Sequence, residues 1–95
     1  MAPEKLKEAE IEAGLSELGD WRRAGEWMER TYERPSFPEA VDSAGRVAGI
    51  AEELQHHPQI IIDHKRLTLR LTTKDAGGLT ALDLQAAARF DAVLD

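Results

Sequence analysis

The strongest periodicity in the chain lies between residues 36 and 57. Phe37, Ala40, Val41, Ala44, Val47, Ala48, Ala51 and Leu54 recur at three- and four-residue spacing, which predicts a helix with one apolar face. Ser36 stands as its N-cap, Glu39 completes a capping box, and Pro38 falls in the first turn. Pro58 drives His57 out of the α region, so the helix is expected to stop near His56. Gly45 and Gly49 each cost up to about 1 kcal/mol against alanine in a helix interior. Their presence predicts a close approach of this helix to a sheet or to another helix.

Beyond Pro58 the period changes to two. In RLTLRLT, residues 66 to 72, Leu67, Leu69 and Leu71 alternate with Arg66, Thr68, Arg70 and Thr72. One face of that strand is therefore buried, and the other is wet or meets another subunit. QIIID (59 to 63) reads as its partner strand, with His64-Lys65 as the turn. Upstream, Trp21, Trp27, Thr31 and Tyr32 favour strands and Ala24-Gly25-Glu26 offers a turn, giving a hairpin of about 21–24 and 27–33 closed by Pro35. Leu6, Ile11, Leu15 and Leu18 form a ragged apolar stripe, read as a helix over residues 4 to 18 with Pro3 near its first turn and Gly19 at its stop. TKDAGG (73 to 78) is a loop. Thr80 caps a last helix reaching residue 94, with apolar contacts from Leu84, Ala87, Ala88 and Leu94.

The order α-β-β-α-β-β-α predicts a two-layer α+β domain. Its four-stranded antiparallel sheet carries the 36–56 and 80–94 helices on one face, through Leu67, Leu69 and Leu71. No repeat or linker divides residues 1–95, so one domain is expected.

Composition then removes several function classes. A net charge of −6, from 18 acidic and 12 basic residues, argues against direct nucleic-acid binding, which needs a basic face. The chain has no cysteine, so neither disulfides nor thiolate metal sites are available. No apolar run approaches the roughly 20 residues of a membrane span. The opening MAPEKLKEAE is charged throughout and is not a secretory signal, which makes the cytoplasm the expected compartment.

Two of the three histidines stand side by side in EELQHHPQIII, residues 52 to 62. On a continuing helix Glu52 and His56 fall one turn apart on the same side, a favourable pairing with the acid first. The helix C-terminus also favours a positive charge, so a carboxylate-oriented imidazole there suits a general acid. His57, released by Pro58, can point elsewhere. The plainer alternative is a pair of polar residues ending a helix. Neighbouring histidines rarely converge on one ion and no third ligand has a standard spacing, so no metal is expected. Read alone, Asp83 is a capping carboxylate behind Thr80, Lys74-Asp75 a solvated charge pair, and Gly77-Gly78 a turn.

These same residues carry a resemblance. Glu52-x-x-x-His56-His57-Pro58 resembles the signature of the pterin-4a-carbinolamine dehydratases, also known as dimerisation cofactors of a homeodomain transcription factor. LTTKDAGGLTALD is similar to the family's L-x-T-H-x-x-x-G-L-T/S-x-x-D segment, and PSFPEAVDSAGRVAGIAEE to its phenylalanine-led, alanine-rich helix; the likeness runs from about Leu15 to Leu94. The resemblance implies a hydro-lyase that dehydrates 4a-hydroxytetrahydropterin in pterin cofactor regeneration, with no metal or organic cofactor. It implies catalytic roles for His56, His57 and Glu52, substrate contacts from Lys74 and Asp83, and a homodimer or homotetramer. Two positions depart from the pattern. Lys74 stands where the family has its third histidine, and a lysine ammonium is a donor only. The aromatic residue expected after the histidine–proline segment is also absent, with His64 or Lys65 near its place. A second functional class follows from those departures: a dehydratase-like binding or assembly protein, such as a carboxysomal Rubisco assembly factor or a transcription dimerisation cofactor.

Overall fold

The computed structural model describes residues 3–95. The alternation in the leucine-rich strand sets its layering. Leu67, Leu69 and Leu71 are fully buried on one face of β4 (Arg66–Leu71), and Thr68 and Arg70 face the other way. β4 pairs antiparallel with β3 (Gln59–Asp63) on one side and with β2 (Trp27–Glu33) on the other, and β2 pairs with β1 (Arg22–Ala24). The sheet order is β1-β2-β4-β3. Register places Met28 opposite Leu71 and Tyr32 opposite Leu67, so both β2 side chains join the leucines in the core.

Three helices cover that face: α1 (Glu8–Leu18), α2 (Phe37–Leu54) and α3 (Ala81–Leu94). α2 contributes Val47, Ile50 and Ala51 to the core, α3 contributes Ala86, Ala87, Phe90 and Leu94, and α1 adds Ile11. The expected element order and two-layer α+β architecture are both present. None of the helices is long and apolar enough to cross a membrane, among the described residues.

Arg30 stands on the core side of β2, opposite Leu69. Its charge is met at the end of α3, where it donates to Asp91 at 2.6 Å and to Asp95 at 2.8 Å. Asp91 also accepts from Trp21 Nε1 at 3.0 Å and from the Tyr32 hydroxyl. Burial works against the guanidinium charge, but the bonds to Asp95 and Asp91 outweigh it and raise the Arg30 pKa. Burial, then the bond to Asp91, pushes the Tyr32 hydroxyl up as well. The strands are thus tied to the last turn of α3 by one satisfied polar cluster.

Three local expectations need correction. α1 begins at Glu8 and not near residue 4. The Leu6 N–H donates to the Leu79 carbonyl at 2.8 Å, Lys5 bridges to Glu26 at 2.7 Å, and Glu10 caps the Lys7 N–H at 2.9 Å. The bonds to Leu79 and Glu26 are long-range and hold residues ahead of Glu8 out of the helix, Pro3 among those outside it. α2 stops at Leu54, because Gln55 turns left-handed (φ 51°) and the His56 N–H reaches back to the Ala51 carbonyl at 3.1 Å. Pro58 only reinforces a stop already made. Thirdly, an added Cβ at Gly45 or Gly49 would meet nothing within 4 Å, and both glycines are exposed. Neither serves a close approach within the chain. Gly45→Ala and Gly49→Ala are therefore expected to raise stability by about 0.5–1 kcal/mol each. Thermal unfolding checks this, and a loss of stability instead would contradict the open space around both glycines.

Candidate active site

The cleft is built where three chain segments meet at one end of the sheet. Gln55, His56, His57, Pro58 and Gln59 come from the junction between α2 and β3. Thr72, Thr73, Lys74 and Asp75 come from the exit of β4, and Trp27 from the start of β2. The volume is about 480 Å³.

The abrupt end of α2 decides where the two imidazoles go. Within a helix His56 would lie over Glu52, but the left-handed Gln55 breaks that geometry one residue too soon. The expected Glu52–His56 pair is not formed. His56 turns inward to α3, where its Nε2 lies 2.6 Å from Oδ1 of Asp83. His57 turns back along α2, and its Nε2 meets the Glu52 carboxylate. Each histidine thus has a carboxylate of its own. The surroundings differ sharply: the His56 side chain is 11% exposed and Asp83 0%, whereas His57 is 56% and Glu52 70% exposed.

Asp83 does form the capping box with Thr80, as its spacing predicts. The same carboxylate is also the partner of His56. Asp83 is fully buried and is not among the residues lining the cleft, which it borders through His56. Glu52 likewise stands outside the lining and reaches the cleft through His57. His56, His57 and Lys74 do share the cleft. Lys74 sits in a 3₁₀ turn, Lys74–Ala76, whose base is closed by a bridge between Thr73 and Gly78, so the segment read as a loop is an ordered platform. Among the described residues no group of three or more His, Asp or Glu side chains is placed to hold a metal ion.

Sequence reasoning missed Trp27, Gln59 and Thr72. Trp27 had been a strand former only. Yet strand alternation sends it opposite to Met28, and a large aromatic on a wet strand face was the available signal. The Arg70 guanidinium lies 4.7 Å from the Trp27 ring and donates to Gln59 Oε1 at 2.8 Å. Trp27 and Gln59 line the cleft on the sheet side, and Arg70 links them from outside the lining. The Thr72 hydroxyl donates to the Glu26 carbonyl at 2.6 Å, tying the exit of β4 to the β1–β2 turn. An aromatic wall is therefore present, supplied by β2 and not by the segment after Pro58.

The chain is a two-layer α+β domain with two carboxylate-held imidazoles beside one cleft, a candidate acid–base site. Residues 4–93 match the family described as pterin 4 alpha carbinolamine dehydratase. A "Putative pterin-4-alpha-carbinolamine dehydratase" of Roseiflexus sp. (strain RS-1) is 43% identical over 90 residues, covering 95% of this chain and 97% of its own length. A protein of the same description from Nocardia farcinica (strain IFM 10152) is 41% identical and covers 96% of each chain. A crystal structure from Brucella melitensis, titled a transcriptional coactivator/pterin dehydratase, superposes with a TM-score of 0.90 at 28% identity, covering 96% of this chain and 99% of the other. The chain belongs to the pterin-4a-carbinolamine dehydratase family.

Proposed function

We propose that the protein is a hydro-lyase that dehydrates a 4a-hydroxytetrahydropterin to the quinonoid dihydropterin. The observation that carries this reading is the division of labour in the histidine pair: two adjacent imidazoles, each held by a separate carboxylate, border one cleft. The reaction breaks the C4a–O bond and forms a C4a=N5 double bond. The oxygen leaves as water after gaining a proton, and the N5 proton is lost to a base. Two oriented imidazoles can take those two tasks, which a single one would have to perform in turn. Trp27 offers a flat apolar surface for a bicyclic ring, and the cleft volume suits a small ligand. Lys74 stands as a donor in the same cleft, at the position where the resembled signature has a histidine.

The deciding experiment is a carbinolamine dehydration assay on the purified protein, with loss of the 4a-hydroxy species followed optically. Lys74→His is expected to raise the rate, because an imidazole at that position can both give and take a proton at neutral pH. No acceleration over the uncatalysed loss of water by either protein would sink the reading.

Self-association belongs to the same proposal. β3 is an edge strand with Ile60 and Ile61 exposed, an arrangement open to strand pairing with a second copy. Light scattering at micromolar concentration is expected to give a dimer or tetramer mass, and a clean monomer would count against it.

A further inference from the structure

The two oxygens of Asp83 have separate tasks. Oδ2 accepts from the Thr80 N–H at 2.9 Å and from the Thr73 hydroxyl at 2.8 Å. Oδ1 faces His56 Nε2. The Thr73 and Thr80 hydroxyls also lie 2.8 Å apart, and the Leu82 N–H donates to Thr80 Oγ1 at 3.2 Å. An ionised carboxylate can only accept, and a hydroxyl has one proton to give. Thr73 therefore spends its proton on Asp83, and the contact between the two hydroxyls must use the Thr80 proton. Thr80 Oγ1 then accepts from Leu82. Each donor in this buried chain has one consistent direction, and the chain ends at Oδ2, leaving Oδ1 to accept from a ring N–H.

We infer that Thr73 is a positioning residue: with Thr80, it holds Asp83 so that His56 carries its proton on Nε2 and offers Nδ1 for proton exchange in the cleft. The same residue also anchors the Lys74 side of the cleft. Its backbone N–H donates to the Gly78 carbonyl at 3.1 Å and its carbonyl accepts from the Gly78 N–H at 3.3 Å, closing the base of the turn that bears Lys74. One residue thus registers the Lys74 wall against the His56 wall. The inference rests on the dehydratase reading for its catalytic consequence, but the tautomer is a property of the folded chain alone.

The test uses the full chain with ¹⁵N-labelled histidine. At a pH where the rings are neutral, the parent His56 is expected to show a protonated Nε2 and an unprotonated Nδ1. A parent ring protonated at Nδ1 overturns the inference without any variant or assay. Thr73→Val, nearly isosteric but without the hydroxyl, is expected to mix the two tautomers and to lower kcat by about 10-fold or more with little change in KM, the scale on which outer partners of an oriented histidine act. Thr73→Ser is expected to restore both readouts. Unchanged nitrogen shifts and unchanged kcat in a folded Thr73→Val protein would also overturn it. If the parent fails to accelerate carbinolamine dehydration, the functional reading falls, while the nitrogen shifts still decide the positioning.

Discussion

His57→Ala and His56→Ala are each expected to lower carbinolamine turnover by about 10²-fold or more, the usual scale for a lost general acid or base. Their effects on the fold should differ. His57 and Glu52 are both largely exposed, so removing the ring leaves a carboxylate that water can solvate. Thermal unfolding of His57→Ala is expected to match the parent. His56→Ala is another matter, because it leaves Oδ1 of a fully buried Asp83 without its partner. An unpaired buried acceptor costs about 1–3 kcal/mol, and more when charged. That variant is expected to lose stability together with activity, and comparison of the two separates chemistry from support. A His57→Ala protein that turns over like the parent would remove His57 from the reaction.

Phe90→Ala is expected to be the most damaging single change to the fold. Phe90 is fully buried on α3, within the cluster that includes Val47 of α2 and the leucines of β4. Truncating a buried phenylalanine costs about 3–5 kcal/mol through lost transfer energy and the cavity left behind. Small domains have about 5–15 kcal/mol in all. The urea midpoint should therefore fall steeply while the slope of the transition stays unchanged. A loss below about 1 kcal/mol would contradict the packing of α3 onto the sheet.

The parts of this structure legible in the sequence are those dictated by local periodicity. The alternation of Leu67, Leu69 and Leu71 gives both the buried face and the layer order, and the spacing from Phe37 to Leu54 gives α2. What escaped reading depends on contacts between distant residues. The non-helical course of Lys5 and Leu6 is held by Glu26 and Leu79, which no pattern within the first residues announces. Arg30 looks like a surface residue until Asp91 and Asp95 meet it. At the site, helical spacing argued for Glu52 beside His56, but the left-handed Gln55 lay at the one position where that spacing ceases to apply. Asp83 showed its local capping role in the sequence and kept its second partner hidden, since His56 is 27 residues away.

The pairing of β2 with β4 has a consequence for how the protein reaches its working state. Thr31 and Thr68, directly opposite in that ladder, are 37 residues apart in the chain, and the intervening segment contains all of α2 and β3. By contrast β1 with β2, and β3 with β4, are local hairpins. Closing the long loop loses chain entropy before its contacts repay it, so this pairing is expected to be the late and slow event of folding. Trp27 lies on β2, whereas both histidines, Lys74 and Asp83 lie beyond it in sequence. A half-folded chain can therefore hold the imidazoles and still lack the aromatic wall of the cleft. Ligand binding during refolding should return with the last cooperative step, in phase with burial of Leu67 and Leu69 and behind the recovery of helix.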